Sequence, residues 1–286
     1  MKRLYIGIDG KARKIKKAYI GVNGKARLCY KSGFGNSPEG LYLLRGQGST
    51  TKFTTIDPTT MATRADINTT YATIDTVKWD GETMYSMTNA AFAGTAGKII
   101  IGSKTTNNTV FDPVTGASLG NCPYKPNYGS DQLLGKLVGG NTGTSSLEKI
   151  NPEAYNVISS VTLDGATWNN NKLSFIARHF GGGDGNVIYR GGVYAISYTF
   201  YVLCWHDINS GAVLGTTHAS DNIGSGGIEG AAADVLGQNI FGCRVNNNEE
   251  YQAQTTKMYK FDKTSKAEVS MTKLSAPYVF AMCTIK

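Results

Sequence analysis

A short phrase recurs five times between residues 41 and 286, and it constrains the fold more than anything else in the chain. The copies are Thr55-Ile56-Asp57-Pro58-Thr59-Thr60, Val110-Phe111-Asp112-Pro113-Val114-Thr115-Gly116, Lys149-Ile150-Asn151-Pro152-Glu153, Trp205-His206-Asp207-Ile208-Asn209-Ser210-Gly211 and Lys260-Phe261-Asp262-Lys263-Thr264-Ser265. Their Asp/Asn positions are 55, 39, 56 and 55 residues apart. An Asp or Asn that opens a turn accepts hydrogen bonds from its own backbone two residues on, a following Pro presets φ, and Gly closes the turn. Each copy therefore predicts a turn between two antiparallel strands.

A period near 40–55 residues holds about four strands, which is the length of one blade of a β-propeller. Composition agrees. The 35 glycines and only 17% charged residues suit a turn-rich all-β domain and argue against a helical bundle. Three further apolar–turn–apolar runs, Asp75–Met87, Thr167–Ala177 and Asp234–Val245, read as inner hairpins of such blades. The body is similar in outline to quinoprotein-like and YVTN-like propellers. The expectation is about five blades, closed by pairing Ala276–Ile285 with the blade that begins at Leu41–Ile67. The 39-residue interval leaves the third blade short of a strand or the count at six, and a β-sandwich or open solenoid is the structural alternative.

The charge is unevenly spread. Residues 1–31 hold ten Lys/Arg and one Asp, while the other 255 hold 19 basic and 20 acidic residues. This basic arm is a duplication. Tyr5-Ile6-Gly7-Ile8-Asp9-Gly10-Lys11-Ala12-Arg13 returns as Tyr19-Ile20-Gly21-Val22-Asn23-Gly24-Lys25-Ala26-Arg27, identical at seven of nine positions. Asp-Gly and Asn-Gly between short apolar runs signal two-residue hairpins. Four strands are expected, at about 3–8, 11–16, 18–22 and 25–30. So little sheet buries little apolar area and needs a partner surface. Lys and Arg on such edges also keep them soluble. Residues 1–33 form the arm, 34–40 a Gly/Ser/Asn/Pro linker and 41–286 the propeller-like domain.

The doubled Tyr-Ile-Gly-x-[Asp/Asn]-Gly-Lys-Ala-Arg motif resembles an N-terminal module of phage and prophage structural proteins from Gram-positive bacteria, in which many different C-terminal domains follow it. The resemblance covers about 31 residues and implies a virion-associated protein that docks to other virion proteins through its arm. The residues expected to dock are Lys2, Arg3, Tyr5, Lys11, Arg13, Lys14, Lys16, Lys17, Tyr19, Lys25 and Arg27. The body would face assembly partners or a host-surface glycan or protein, as one of several copies on a tail or baseplate. The alternatives are a capsid- or neck-attached decoration and a virion-borne glycan-degrading enzyme.

Other functions find little footing. The arm lacks the stacking aromatics of a nucleic-acid-binding sheet. No apolar run reaches the ~18 residues of a membrane helix, and no secretory leader is visible, so synthesis in the host cytoplasm is expected. Cys29, Cys122, Cys204, Cys243 and Cys283 form no CxxC pair and are expected to be reduced strand residues. Three scattered histidines give no metal spacing, so neither metal nor cofactor is expected. No Gly-x-Ser-x-Gly occurs, and no spacing singles out a carboxylate pair among Asp75, Asp131, Asp184, Asp221 and Glu229. The reading is non-enzymatic. A ligand or receptor surface is expected from Tyr124, Tyr128, His179, Asp184, Asp221 and Glu229. His179 and Asp184 sit in the run 178–185, which reads as a glycine loop between strands. Trp79, Trp168 and Trp205 offer either a sugar-stacking surface with Tyr124, Tyr128 and Tyr201 or packing between blades.

Overall fold

The computed structural model describes residues 5–8, 11–14, 17–22, 25–31, 40–47, 50–69, 91–95, 97–102, 108–122, 128–129, 134–139, 145–151, 154, 156–168, 171–174, 181–194, 201–220, 230–245, 256–274 and 279–285. The chain divides into two compact units, Met1–Glu39 and Gly40–Lys286. In the first, Tyr5–Ile8 pairs with Lys11–Lys14 and Lys17–Val22 with Lys25–Lys31, both antiparallel, as two separate two-stranded sheets. Ile8 opposes Lys11 and Val22 opposes Lys25, so the connections are Asp9-Gly10 and Asn23-Gly24, as the motif demands.

The second unit is all-β and propeller-like. Among the described residues, four hydrogen-bonded sheets carry five antiparallel four-stranded meanders. The first blade is Val279–Ile285, Gly40–Gln47, Thr50–Ile56 and Thr63–Asn68, running from the centre outward. The C-terminal strand thus supplies its innermost member, pairing Ile285 with Gly40 and Met282 with Leu43. The second is Ala91–Thr95, Lys98–Gly102, Asn108–Phe111 and Ser118–Cys122. The third is Tyr128–Gly129, Leu134–Gly139, Ser145–Ile150 and Val157–Leu163. The fourth is Gly181–Asp184, Val187–Tyr194, Tyr201–Asp207 and Val213–His218. The fifth is Gly230–Leu236, Asn239–Val245, Thr256–Asp262 and Glu268–Leu274. The third and fourth share one ten-stranded sheet because Tyr128 and Gly129 pair in parallel with Gly181 and Gly182. Each innermost strand touches those of the blades before and after it, so the ring closes. The short interval before the third marker comes mainly from the chain between blades, since five residues separate Cys122 from Tyr128 against 22 between Asn68 and Ala91 and 17 between Leu163 and Gly181, and not from a missing strand.

Two expectations on the inner strands change. Thr167–Trp168 and Asn171–Ser174 do pair, but Leu173 and Ser174 join only the far end of the second strand of the fourth blade, at Tyr194 and Val193. The innermost strand is Gly181–Asp184, from the run expected to be a loop. Glycine belongs there because the ring centre is filled from the next blade. A β-carbon on Gly182 would lie 1.7 Å from Asp234 Oδ1. Asp234 is buried, and its carboxylate accepts the Thr284 amide at 2.7 Å and the Val235 amide at 2.7 Å. One side chain thereby ties the fourth, fifth and first blades. Asp75–Met87 lies outside the described residues, whereas Asp234–Val245 falls within the inner hairpin of the fifth blade.

The five markers sit at one structural position, between the third and fourth strands of each blade. The marker amide donates to the carbonyl five residues on: Asp57 to Ala62, Asp112 to Ala117, Asn151 to Asn156, Asp207 to Ala212 and Asp262 to Ala267. In the four Asp copies, Oδ1 also accepts the amides two and three residues on, at 2.7–3.1 Å. These bonds hold the carboxylates of Asp57, Asp207 and Asp262 below the usual range, and Asp57, helped by Arg64, falls to about 2. The fifth turn residue has positive φ: Met61, Gly116, Gly211 and Lys266, at 58°, 71°, 80° and 60°.

Large apolar side chains fill the seams between blades. Phe53 and Phe111 meet edge-to-face at 5.8 Å between the first and second. Tyr201 of the fourth stacks on Tyr259 of the fifth at 4.8 Å and donates its hydroxyl to Ala232 O at 2.8 Å. Burying each such ring contributes about 1.5–3 kcal/mol. Cys122, Cys204, Cys243 and Cys283 are buried strand residues, and Cys29 lies in a strand of the arm.

Candidate functional site

An antiparallel meander places alternate connections at the same end. The marker turns and the first hairpins, such as Gly185-Asn186 and Gly237-Gln238, therefore crowd one end of the ring, and all are short. The longer connections leave from the other end. Cys122, where the second blade finishes, and Tyr128, where the third begins, both lie there. The start of the Gly181–Asp184 strand does too.

This splits the expected ligand surface. Tyr128 stands at the long-connection end, whereas Asp184 closes its strand at the tight-turn end and forms an ion pair with Lys263 of the fifth blade. Tyr124, His179, Asp221 and Glu229 lie outside the described residues. So do Trp79, Asp75 and Asp131. Among the arm residues, Tyr5, Lys11, Arg13, Lys14, Lys17, Tyr19, Lys25 and Arg27 occupy hairpin strands. Lys2, Arg3 and Lys16 lie outside the description.

Around Asp184, the seam between the fourth and fifth blades collects charge and aromatic surface. The Lys266 ammonium sits 4.9 Å from the Tyr189 ring centre and 5.4 Å from that of Trp205. It donates to the Tyr189 hydroxyl at 2.8 Å and to the Lys263 carbonyl. Burial, then the neighbouring Lys263, lowers the Lys266 pKa. Burial, then Asp184, raises that of Tyr189 to about 12. Trp205 thus serves packing between blades, its ring covered by the protein's own cation.

His206 and Cys204 form a pair whose sulfur and Nε2 are 3.3 Å apart. Both are fully buried. Burial pushes the thiol up to about 12 and the imidazole down to about 4. A neutral thiol with no access to solvent is not a nucleophile, so this pair is structural. Among the described residues, no group of three or more His, Cys, Asp or Glu gathers as a metal site.

The rim carries a feature that sequence reading missed. In every blade the register slips by one residue just before the marker, so the outermost strand holds one extra residue. The extra residues are Arg64, Leu119, Ile158, Leu214 and Val269. A bulge re-aims its side chain, and the four apolar ones are 50–62% exposed. The signal was available, because each lies seven residues after its marker.

No known protein family matches the chain, and no curated protein matches it. Among solved structures, apo AztD from Citrobacter koseri is similar at 9% identity, over 86% of this chain and 97% of that one, with a TM-score of 0.35. BamB from Moraxella catarrhalis is similar at 11% identity, over 81% of this chain and 60% of that one, with a TM-score of 0.29. The fold assignment rests on the strand topology of this chain.

Proposed function

We propose that the chain is a phage virion structural protein, docked to the particle by its basic N-terminal hairpins and presenting a β-propeller for assembly or host-surface contact, at the tail or baseplate. The observation that carries this reading is the doubled Tyr-Ile-Gly-x-[Asp/Asn]-Gly-Lys-Ala-Arg motif, whose copies coincide with two hairpins. The charge split adds support: a docking element gains from cationic edges, while a nearly neutral body avoids indiscriminate attraction. The rim residues Leu119, Ile158, Leu214 and Val269 are the contact points the body offers.

Deleting residues 1–33 is expected to leave the body folded, with an unchanged melting temperature, and to prevent incorporation into particles. Incorporation of the full chain is expected to weaken as salt rises from 0.05 to 0.5 M, because the Debye length shrinks from roughly 14 Å to about 4 Å. A truncated protein that still incorporates removes the docking role. Salt-independent incorporation assigns docking to strand pairing instead of charge.

A further inference from the structure

The seam between the third and fourth blades brings together groups that the proposed function does not use. His206 is 0% exposed, on the third strand of the fourth blade. Its Nδ1 lies 3.3 Å from the Gly211 carbonyl oxygen, which places the neutral ring's proton on Nδ1 and leaves Nε2 facing the Cys204 thiol. The same Gly211 oxygen accepts the Asp164 amide at 2.9 Å, where the chain leaves the third blade. Arg190, 3% exposed on the second strand of the fourth blade, reaches across the seam to Ser145 Oγ of the third at 2.9 Å. The titratable and charged groups that bear on His206 are Arg190 from the neighbouring strand, Asp164 from the third blade and Cys204 on its own strand.

This arrangement tolerates one positive charge, already supplied by Arg190. We propose that the seam between the third and fourth blades is an acid-sensitive joint, in which protonation of His206 sets a second buried cation beside Arg190 and separates the two blades. Burial first, and Arg190 second, hold the imidazole at about 4, against the Gly211 oxygen and Asp164, which favour the charged form. The sign follows. The folded pKa of this base lies below its open-state value of about 6.5, so the open form binds more protons between those values and gains population as pH falls. At pH 5 the open form is favoured about 30-fold more than at pH 7.5.

Hydrogen exchange of the full chain at pH 7.5 and 5.0, corrected for intrinsic exchange, reads this directly. Peptides from Ser145–Leu163 and Tyr201–His218 are expected to open about 30-fold more often at pH 5.0, while Thr256–Leu274 changes little. His206→Asn is expected to abolish the difference. Arg190→Gln tests the same joint if that variant does not fold. Without its charge the folded imidazole titrates closer to 6.5, so the rise shrinks. An equal rise in all blades, no rise, or a rise that survives these substitutions overturns the proposal. So does an imidazole NMR titration that places His206 near 6.5 in the folded protein.

Discussion

A chain ending at residue 278 is expected not to fold cooperatively. The missing segment, Val279–Ile285, is the innermost strand of the first blade, and it pairs with Gly40–Arg45. Val279, Met282, Cys283 and Ile285 are each no more than 2% exposed. At about 1.5–3 kcal/mol for a buried large apolar side chain, their loss is on the order of 7 kcal/mol, comparable to the roughly 5–15 kcal/mol that stabilises an ordinary domain. The truncation also removes the Thr284 amide that Asp234 accepts, leaving a buried carboxylate with one fewer donor. Near-UV circular dichroism and thermal melting check this. A broad, low-amplitude transition is expected, and a synthetic peptide spanning residues 276–286 is expected to restore a sharp one. A truncated chain that melts like the intact protein shows that the ring does not depend on its closure.

The second large effect is expected at Gly211. This residue holds φ = +80°, and a β-carbon would lie 1.7 Å from Thr162 O and 2.8 Å from Thr162 C. Both obstacles are backbone, so no rotamer relieves them. Gly211→Ala adds about 1–2 kcal/mol of left-handed strain to a clash that must wedge the third and fourth blades apart. A total loss of at least about 3 kcal/mol is expected, or roughly 10 °C in melting temperature. Gly237→Ala separates the two contributions. Its φ is +62°, and nothing lies within 4 Å of the added carbon, so it carries the conformational part alone, about 1 kcal/mol. Similar losses for the two variants, by chemical denaturation, contradict a close seam. Gly116 repeats the arrangement against Asn68 O at 2.0 Å.

The same turn shows what was legible in the sequence. The marker Asp or Asn gave away each blade because its chemistry is local: the side-chain oxygen bonds amides two and three residues away in the four Asp copies and three residues away at Asn151, whatever surrounds it. Closure by the C-terminal strand followed from counting elements that lacked partners. Long-range packing left no such trace. Gly181–Gly183 reads as a flexible loop, since nothing in its own composition favours a strand. Only the Asp234 side chain, some fifty residues later, explains why small residues line the centre. The connection that follows is Gly185-Asn186, with Asp184 opposite Val187, a pair that reads as a hairpin turn only once the glycine run is taken as a strand. Likewise, Lys266 shares its left-handed turn position with glycines in two other blades. Its side chain is accommodated by the rings of Tyr189 and Trp205, which no spacing rule connects to it. The rim residues stayed hidden for another reason. A lone Leu or Val in an outer strand is ordinary; its recurrence at the bulge is visible only when the registers are laid side by side.

The candidate site is where sequence reading reached least far. Residues grouped by type, such as Asp184 with Tyr128, belong to opposite ends of the ring because alternate connections of a meander face opposite ways. The arm is the reverse case. Its proposed docking role rests on a motif and a charge distribution, both properties of the sequence, and its hairpin registers match the motif at both copies.

The most direct test of the central claim is immunogold electron microscopy of phage particles from the source strain, with antibody raised against the propeller. Gold is expected on the particles, concentrated at the tail tip or baseplate. Gold on the head or neck would keep the virion assignment and move the protein to decoration. Particles that carry no label, from a strain that makes the protein, would rule out a place in the virion.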